Sequence, residues 1–401
     1  MRPFKSLISF EEAQKIALDA INPISRTEKV KVQDSINRVL ATGIQAQMAV
    51  PPFDRAAMDG YAVLASDTFG SGRFDPKVLK LVGSVHAGEV LNVEVNQGQC
   101  VEIATGAKIP KGADSVVMIE DTERENHEVK VFKPVYPQAN MSLSGSDISE
   151  GEMVLNENEV LGPGKIGVLT SLGLEYVKVY EKPKVAIIPT GNEVAEVGDD
   201  LKDGQVFNSN SYALSAIAKE NGAIPMRMGI VEDTQDSLKS AIKKALSNDF
   251  VVLSGGSSVG ERDVLVDVVE ELGEILFHGV QVKPGKPLLL GQVEKKLVLG
   301  TPGYPTACLI DGYVFMAPMI RKLAHLPAIQ RQKVKAKISR RVVSTLGRQQ
   351  FLTVRLENGE AIPVFKESGA ITSMAEAVGF VEIPANVDLV EKGDSVEVVL
   401  F

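Results

Sequence analysis

The sequence predicts a multidomain protein of mixed α/β and β class, with a parallel-sheet α/β domain between two β-rich regions. In residues 184–325, short apolar runs of strand length alternate with amphipathic helical patterns, which is typical of a parallel sheet covered by helices. In residues 44–147 and 330–401, short β-like runs alternate with Gly, Pro and Asp. The length of 401 residues suggests about two to four domains.

The first predicted element is a helix. Ser9 and Glu12 fit a capping box, in which side chains satisfy the free N–H groups of a helix start, and Pro23 ends the apolar periodicity. The middle region follows with predicted strands at 78–82, 99–103, 115–119 and 128–132. Two segments rich in turn residues, 51–61 and 105–114, interrupt it, and by itself Asp59-Gly60 is typical of a hairpin tip.

The α/β region is predicted to contain four strands and three helices before a hairpin and a final long helix. The strands are 185–188, 226–231, 250–254 and 275–278, and the helices are 211–219, 238–246 and 263–272. Residues 288–290 and 297–299 form the hairpin, and Pro305 suits the first turn of a helix that ends near His325. The last region, with candidate strands 333–338, 351–356, 361–365, 379–383 and 395–400, suits a small barrel or sandwich.

Composition narrows the class of protein. Lys and Arg number 43 against 52 Asp and Glu, so the net charge of −9 disfavours broad binding to nucleic acid or anionic lipid. Two cysteines and four histidines are scattered without zinc-ligand spacing. No segment reaches the roughly 20 apolar residues of a spanning helix, and the first 20 residues lack a signal-peptide pattern. A cytoplasmic enzyme is the expectation.

A glycine-rich segment, 254–263, follows the third strand of the α/β region. Its backbone N–H groups could cradle phosphate at the carboxyl edge of the sheet. It is not a Walker A loop, because Glu261-Arg262 stands where Lys-Ser/Thr is required. The alternative is an ordinary glycine-rich turn.

Acidic residues follow three strands of the same sheet. Glu193 lies in Pro189-Thr190-Gly191-Asn192-Glu193, Asp233 follows the second strand and Asp263 follows the glycine-rich loop. Converging carboxylates would suit Mg²⁺, which prefers oxygen ligands. Taken singly, each acid could instead be a helix cap or a solvated side chain.

The segment Lys283-Pro284-Gly285-Lys286-Pro287 is the cationic counterpart. Two prolines and a glycine would hold two ammonium groups near one point, which suits an oxyanion. Two solvated lysines are the alternative. Arg348 could add a planar donor, although spacing does not place it near Lys283.

Together these segments resemble the molybdopterin molybdenumtransferase family, that is MoeA and the gephyrin E domain. The matches run in the family's order over nearly the whole chain: 53–62, 105–107, 112–114, 145–148, 189–193, 208–212, 254–263, 283–287, 302–305, 347–351 and 368–377. Two positions depart from the family pattern, with Tyr304 in place of Asn and Ser146 in place of Glu.

The resemblance implies insertion of molybdate, or tungstate, into adenylylated molybdopterin with Mg²⁺-dependent release of AMP, a late step of molybdenum cofactor biosynthesis. It implies a homodimer with the active site between subunits, and molybdopterin adenylyltransferase as the upstream partner. The implied parts are an N-terminal helix on the α/β domain (1–26), a two-segment linking domain (27–45 and 148–180), a β-rich domain (46–147), a molybdopterin-binding α/β domain (181–328) and a C-terminal β-barrel (329–401).

Residue roles follow from the same resemblance. Molybdate would be bound by Lys283, Lys286, Arg348 and Ser373. The catalytic residues would be Glu193, Asp233 and Asp263, together with Asp59 and Thr105 of the partner subunit. The three acids Glu193, Asp233 and Asp263 would also hold Mg²⁺. The nucleotide phosphates would meet Thr190, Gly191, Asn192, Gly255, Gly256, Ser257, Ser258 and Gly260. Two alternatives remain, a non-catalytic cofactor-binding or scaffold protein and a molybdopterin adenylyltransferase.

Overall fold

The computed structural model describes residues 7–255, 264–366 and 369–401. The chain divides into two compact units. The first unit contains Met1–Glu28, Asn37–Val39 and Val179–Phe401, and the second contains Lys29–Ile36 and Leu40–Lys178.

The N-terminal helix of the first unit, α1 (Phe10–Asp19), begins where the capping pattern predicts. The hydroxyl of Ser9 accepts a hydrogen bond from Glu12 N at 3.1 Å. The ring of Phe10 packs edge-on against Phe315 and Phe351, at centroid distances of 5.4 and 5.1 Å. The buried face of α1 therefore belongs to the core of the first unit.

The segment from residue 27 to residue 180 is built mainly from strands. Its elements are β1 (Thr27–Lys31), β2 (Ile44–Gln45), β3 (Arg55–Ala56), β4 (Gly60–Val63), β5 (Lys77–Val85), β6 (Gln99–Ile103), β7 (Ser115–Met118), β8 (Thr122–Glu125), β9 (Glu128–Val131), β10 (Met141–Ser142), β11 (Met153–Leu155), α2 (Pro163–Ser171) and β12 (Tyr176–Tyr180). Six strands form one sheet in the order β7-β4-β6-β5-β9-β8. The predicted β-rich character is confirmed.

Asp59-Gly60 is not a hairpin tip. Gly60 begins β4, which pairs with β6 on one side and β7 on the other. A Cβ at Gly60 would lie 1.9 Å from Val117 O, so this interior position accepts only glycine. Asp59 is therefore held at the end of an interior strand.

The α/β part of the first unit contains the elements from β13 to α7. They are β13 (Lys184–Pro189), β14 (Val194–Ala195), β15 (Val206–Phe207), α3 (Asn210–Glu220), β16 (Ile224–Arg227), α4 (Gln235–Ala245), β17 (Phe250–Ser254), α5 (Val264–Leu272), β18 (Glu274–His278), β19 (Val282–Lys283), β20 (Leu289–Val293), β21 (Lys296–Thr301), α6 (Pro305–Asp311) and α7 (Ala317–Leu323). The main sheet has the order β16-β13-β17-β21-β20-β18. Its first four strands are parallel to one another. Strand β20 is antiparallel to β21, and β18 is antiparallel to β20. All five residues of β17 are buried, as expected for a strand covered on both faces.

Two predictions for this part need correction. The second strand ends at Arg227, and after a turn with Gly229 at φ +82° the chain pairs again only at Val231 with Thr190. The long helix is interrupted by a π-helical turn, Gly312–Met316. Pro318 has no N–H to donate within the helix, and Gln14 Nε2 instead donates to Val314 O at 3.0 Å.

The C-terminal part closes into a small barrel. Its elements are β22 (Lys333–Ile338), β23 (Val342–Val343), β24 (Gln349–Glu357), β25 (Glu360–Pro363), α8 (Thr372–Ala375), β26 (Gly379–Ile383), β27 (Leu389–Val390) and β28 (Ser395–Leu400). The order β24-β25-β22-β28-β26 is closed by pairing of β26 with β24. Of the two predicted alternatives the barrel is correct. Every helix in the described part of the chain is too short or too polar to span a bilayer.

Candidate functional site

The carboxyl ends of three parallel strands meet in the α/β part of the first unit. Pro189 of β13 pairs with Ser254 of β17, and Ser254 pairs with Thr301 of β21. Strand β13 lies between β16 and β17 in the sheet. The chain passes from β13 to β16 on one side of it and then to β17 on the other side, so the direction of the strand order reverses at β13. Such a switch point is where open α/β sheets bind ligands.

Backbone packs tightly at this edge. Gly255, at φ +100°, would place a Cβ 2.6 Å from Thr190 O, so no side chain fits there. Gly303 lies beside it, since a Cβ on Gly303 would be 3.6 Å from Gly255 Cα. Gly255 is itself buried and its N–H donates to Thr301 O at 3.1 Å, so this glycine allows the close packing of the strand ends rather than offering a free donor. The other predicted cradle residues, Gly256, Ser257, Ser258 and Gly260, lie outside the described residues, as does Asp263.

Two of the predicted acids, Glu193 and Asp233, lie near each other at the edge. The pairing of Thr190 with Val231 brings their segments together. A Cβ on Gly191 would lie 2.7 Å from Glu193 Oε2, which means that this carboxylate folds back over the glycine. Asn192 is exposed beside it.

Asp233 is an electrostatically unusual acid. Burial raises the pKa of its carboxyl, and the neighbouring Glu193 raises it further, whereas the hydroxyl of Thr190 opposes the rise. Asp233 Oδ1 is buried and makes no hydrogen bond. A bound cation would satisfy this oxygen and neutralise the pair, so the donor set fits Mg²⁺. Across the described part of the chain, no three His, Cys, Asp or Glu side chains are grouped to hold a metal ion.

The cationic segment lies beside the turn that carries Arg348. Strand β19 pairs in parallel with β24, so that Lys283 is opposite Gln350, and Gln349 N donates to Gln281 O at 2.8 Å. Lys283 Nζ donates to Thr345 Oγ1 at 3.2 Å, in the turn just before Arg348. The structure thus brings together cationic segments that the sequence alone could not connect.

Beneath this segment lies an acid that the sequence reasoning missed. Asp311, the last residue of α6, is fully buried and neither carboxylate oxygen has a hydrogen-bond partner. Burial raises the pKa of Asp311 well above its ordinary value. A Cβ on Gly285 would lie 2.4 Å from Asp311 Oδ1. The available signal was one charged residue after the apolar run Ala307-Cys308-Leu309-Ile310.

Ser373, the fourth predicted molybdate ligand, is fully buried on α8. Its Oγ accepts a hydrogen bond from Lys366 N at 3.1 Å. The preceding segment contacts α6, because Thr306 Oγ1 donates to Ala370 O at 3.1 Å. Helix α6 therefore contacts both the segment that carries Lys283 and Lys286 and the segment that leads to Ser373.

In the second unit, Asp59 and Thr105 are in direct contact. Thr105 N and Thr105 Oγ1 donate to Asp59 Oδ1, at 2.6 and 2.8 Å. The backbone hydrogen bond and then the hydroxyl lower the pKa of Asp59, whose side chain is exposed. The pair presents an ionised, oriented carboxylate.

The chain matches three family descriptions. Residues 8–173 match the MoeA N-terminal region (domain I and II), residues 186–322 match a probable molybdopterin binding domain, and residues 335–401 match the MoeA C-terminal region (domain IV).

Similar proteins cover nearly the whole chain. The molybdopterin molybdenumtransferase of Bacillus subtilis is 34% identical over 94% of this chain and 90% of its own length. A crystal structure of a molybdopterin biosynthesis MoeA protein from Pyrococcus horikoshii superposes with a TM-score of 0.88 at 40% identity, covering 98% of this chain and 99% of that one. A second, from strain OT3, has a TM-score of 0.84 at 34% identity over 99% and 100%. Continuous matches of this extent show that the chain belongs to the MoeA family of molybdopterin biosynthesis proteins.

Proposed function

We propose that this protein is a molybdopterin molybdotransferase, an enzyme of molybdenum cofactor biosynthesis. It inserts molybdate, or tungstate, into adenylylated molybdopterin and releases AMP. The observation that carries the proposal is the pairing of β19 with β24, which sets the Lys283 and Arg348 segments side by side. Cations focused in this way bind a tetrahedral oxyanion despite the net negative charge of the chain.

The side chains have separate tasks in this proposal. Lys283, Lys286 and Arg348 bind and orient the oxyanion by charge-assisted hydrogen bonds, with Ser373 on α8 as the fourth proposed ligand. The glycine-rich segment that follows Gly255 is proposed to cradle the phosphates of the nucleotide. The protein contributes positioning and charge neutralisation, and no covalent nucleophile is required.

Glu193 and Asp233 would hold Mg²⁺, with Asp263 as the third proposed ligand. When bound, Mg²⁺ neutralises charge on the phosphoanhydride. The support is the buried, unpartnered Asp233 Oδ1 beside Glu193. The unpartnered hydroxyl of Thr190 and the exposed Asn192 would donate to the phosphates next to these acids, with Gly191 between them.

We also propose a homodimer in which Asp59 and Thr105 of the partner subunit act at this site, and a molybdopterin adenylyltransferase as the enzyme that supplies the substrate. The fixed carboxylate of Asp59 supports a functional role, because an exposed side chain held by two hydrogen bonds is preorganised. Mixing an Asp59→Ala variant with a Lys286→Ala variant tests the arrangement. If sites are shared between subunits, the mixed dimers regain part of the activity that both parents lack. Without a gain on mixing, the shared site is wrong.

The function itself is tested by incubating the purified protein with adenylylated molybdopterin, Mg²⁺ and either molybdate or tungstate. AMP release that depends on the oxyanion is the expected result. Binding of adenylylated molybdopterin without AMP release in the presence of either oxyanion would favour the scaffold alternative. Conversion of molybdopterin and ATP to the adenylylated product would instead favour the adenylyltransferase alternative.

A further inference from the structure

An exposed aromatic side chain stands at the edge of the sheet where the proposed substrate binds. Tyr304 follows Gly303 directly and is 66% exposed. Its backbone is held, because Tyr304 O accepts from Cys308 N at 2.9 Å in the first turn of α6. Asn210 Nδ2 donates to Gly303 O at 2.8 Å, which fixes the preceding peptide to α3. The ring therefore projects from a rigid base.

Two glycines lie close to Tyr304. A Cβ on Gly369 would be 3.6 Å from Tyr304 Cδ1, so the ring lies against backbone that carries no side chain. Gly303, which precedes Tyr304, lies beside Gly255 at the start of the proposed phosphate cradle. The ring thus contacts the segment that leads to Ser373, and its backbone lies next to the sheet edge at Gly255.

An unpaired acceptor accompanies the ring. Asn210 Oδ1 is buried beside the same turn and makes no hydrogen bond, although its amide nitrogen is bound to Gly303 O. A buried acceptor without a partner costs free energy, and a donor on a ligand would remove that cost.

We propose that Tyr304 is a stacking platform for a flat, amino-substituted nitrogen heterocycle of the substrate, with Asn210 as the neighbouring polar contact. The proposal rests on the function proposed above, because that substrate carries two such heterocycles, the pterin and the adenine. An aromatic ring on a fixed backbone binds a flat π system without first having to be ordered. Each source predicts a different kinetic result.

The test uses the full-length protein with the variants Tyr304→Leu and Tyr304→Phe. The control is Tyr136→Leu in the second unit, since Tyr136 is also exposed, at 74%. The KM for adenylylated molybdopterin and the inhibition constant of AMP are measured for each. Tyr304→Leu is expected to raise the KM about five- to 150-fold, the range for loss of one stacked base. Tyr304→Phe keeps the ring and is expected to stay near the wild-type value.

The inhibition constant of AMP distinguishes adenine from the pterin as the ring that stacks on Tyr304. If the ring stacks on adenine, Tyr304→Leu weakens inhibition by AMP in parallel with the KM. If it stacks on the pterin, inhibition by AMP is unchanged. Wild-type values for both constants in Tyr304→Leu, or an equal rise in Tyr136→Leu, would overturn the stacking proposal and leave the proposed function intact. A wild-type protein that releases no AMP refutes the proposed function instead. In that case, calorimetric titration with AMP and with 6-hydroxymethylpterin tests Tyr304 directly. Weaker binding of either compound by Tyr304→Leu supports stacking, and unchanged binding of both refutes it.

Discussion

The carboxyl group of Asp311 lies directly against the backbone of Gly285. Oδ1 would be 2.4 Å and Oδ2 2.8 Å from a Cβ placed on this glycine. Gly285 lies between the two cationic residues Lys283 and Lys286. Asp311, the last residue of α6, therefore packs against the backbone of the proposed oxyanion segment. The contact joins residues 26 positions apart in the chain.

We predict that Gly285→Ala destabilises the protein. A φ of +107° disfavours any side chain by about 1–2 kcal/mol, and overlap with Asp311 adds about 1–3 kcal/mol. Gly393→Ala is the matched control, because Gly393 has a φ of +90° and no atom within 4 Å of the added Cβ. Urea unfolding should show the larger loss for Gly285→Ala. Equal losses would mean that the Asp311 contact is unimportant.

We predict that Asp311→Asn removes a pH dependence of stability. The folded protein raises the pKa of Asp311, so above the ordinary value near 3.8 the unfolded chain releases a proton that the folded chain retains. The free energy of unfolding therefore falls as pH rises, until the folded group also ionises. Facing Asp311 on α6, Cys308 has a thiol pKa raised to about 12, mainly by burial, and stays neutral in this range.

The measurement is the urea midpoint between pH 5 and pH 8. Wild-type protein and Asp199→Asn, which changes an exposed acid, should show the same decline. The decline should be smaller in Asp311→Asn. If all three curves have the same slope, Asp311 does not stay protonated in the folded state.

We predict that Lys286→Ala weakens molybdate-dependent turnover more than nucleotide binding. The reason is that the lysine belongs to the proposed oxyanion segment, whereas the phosphates meet the Gly255 edge. Lys295→Ala removes an equal charge at the exposed tip of the β20–β21 hairpin and should have little effect. Turnover against molybdate concentration and titration with AMP separate the two quantities. Equal losses in both would contradict a dedicated oxyanion site.

We predict that Thr105→Val raises the pKa of Asp59 part of the way to its ordinary value. Valine removes the hydroxyl donor but keeps Thr105 N, whose hydrogen bond is the larger cause of the lowered pKa. Thr105→Ser keeps the hydroxyl and should leave the pKa near the wild-type value. Carboxyl NMR titration, assigned with Asp59→Asn, measures the change. An unchanged pKa in the valine variant would show that the hydroxyl bond is absent in solution.

Local patterns predicted many elements because their causes are local. Ser9 caps α1 as its spacing to Glu12 indicates, and the run from Phe250 to Ser254 is a strand with the predicted bounds. The failures have identifiable causes. The second strand ends at Arg227, before the turn at Gly229, and Pro318 lies in α7 just after a π-helical turn that periodicity does not reveal.

The sequence by itself determined the class of fold, the order of its parts, and the residue types that suit an oxyanion, a phosphate and a divalent cation. Only the tertiary structure decided which of these residues meet. The pairing of β19 with β24 places the Arg348 turn beside Lys283, and the end of α6 places Asp311 under Gly285. Spacing along the chain carries no information about such contacts. They depend on strand register and on how buried surfaces pack, which involve residues far apart in the chain.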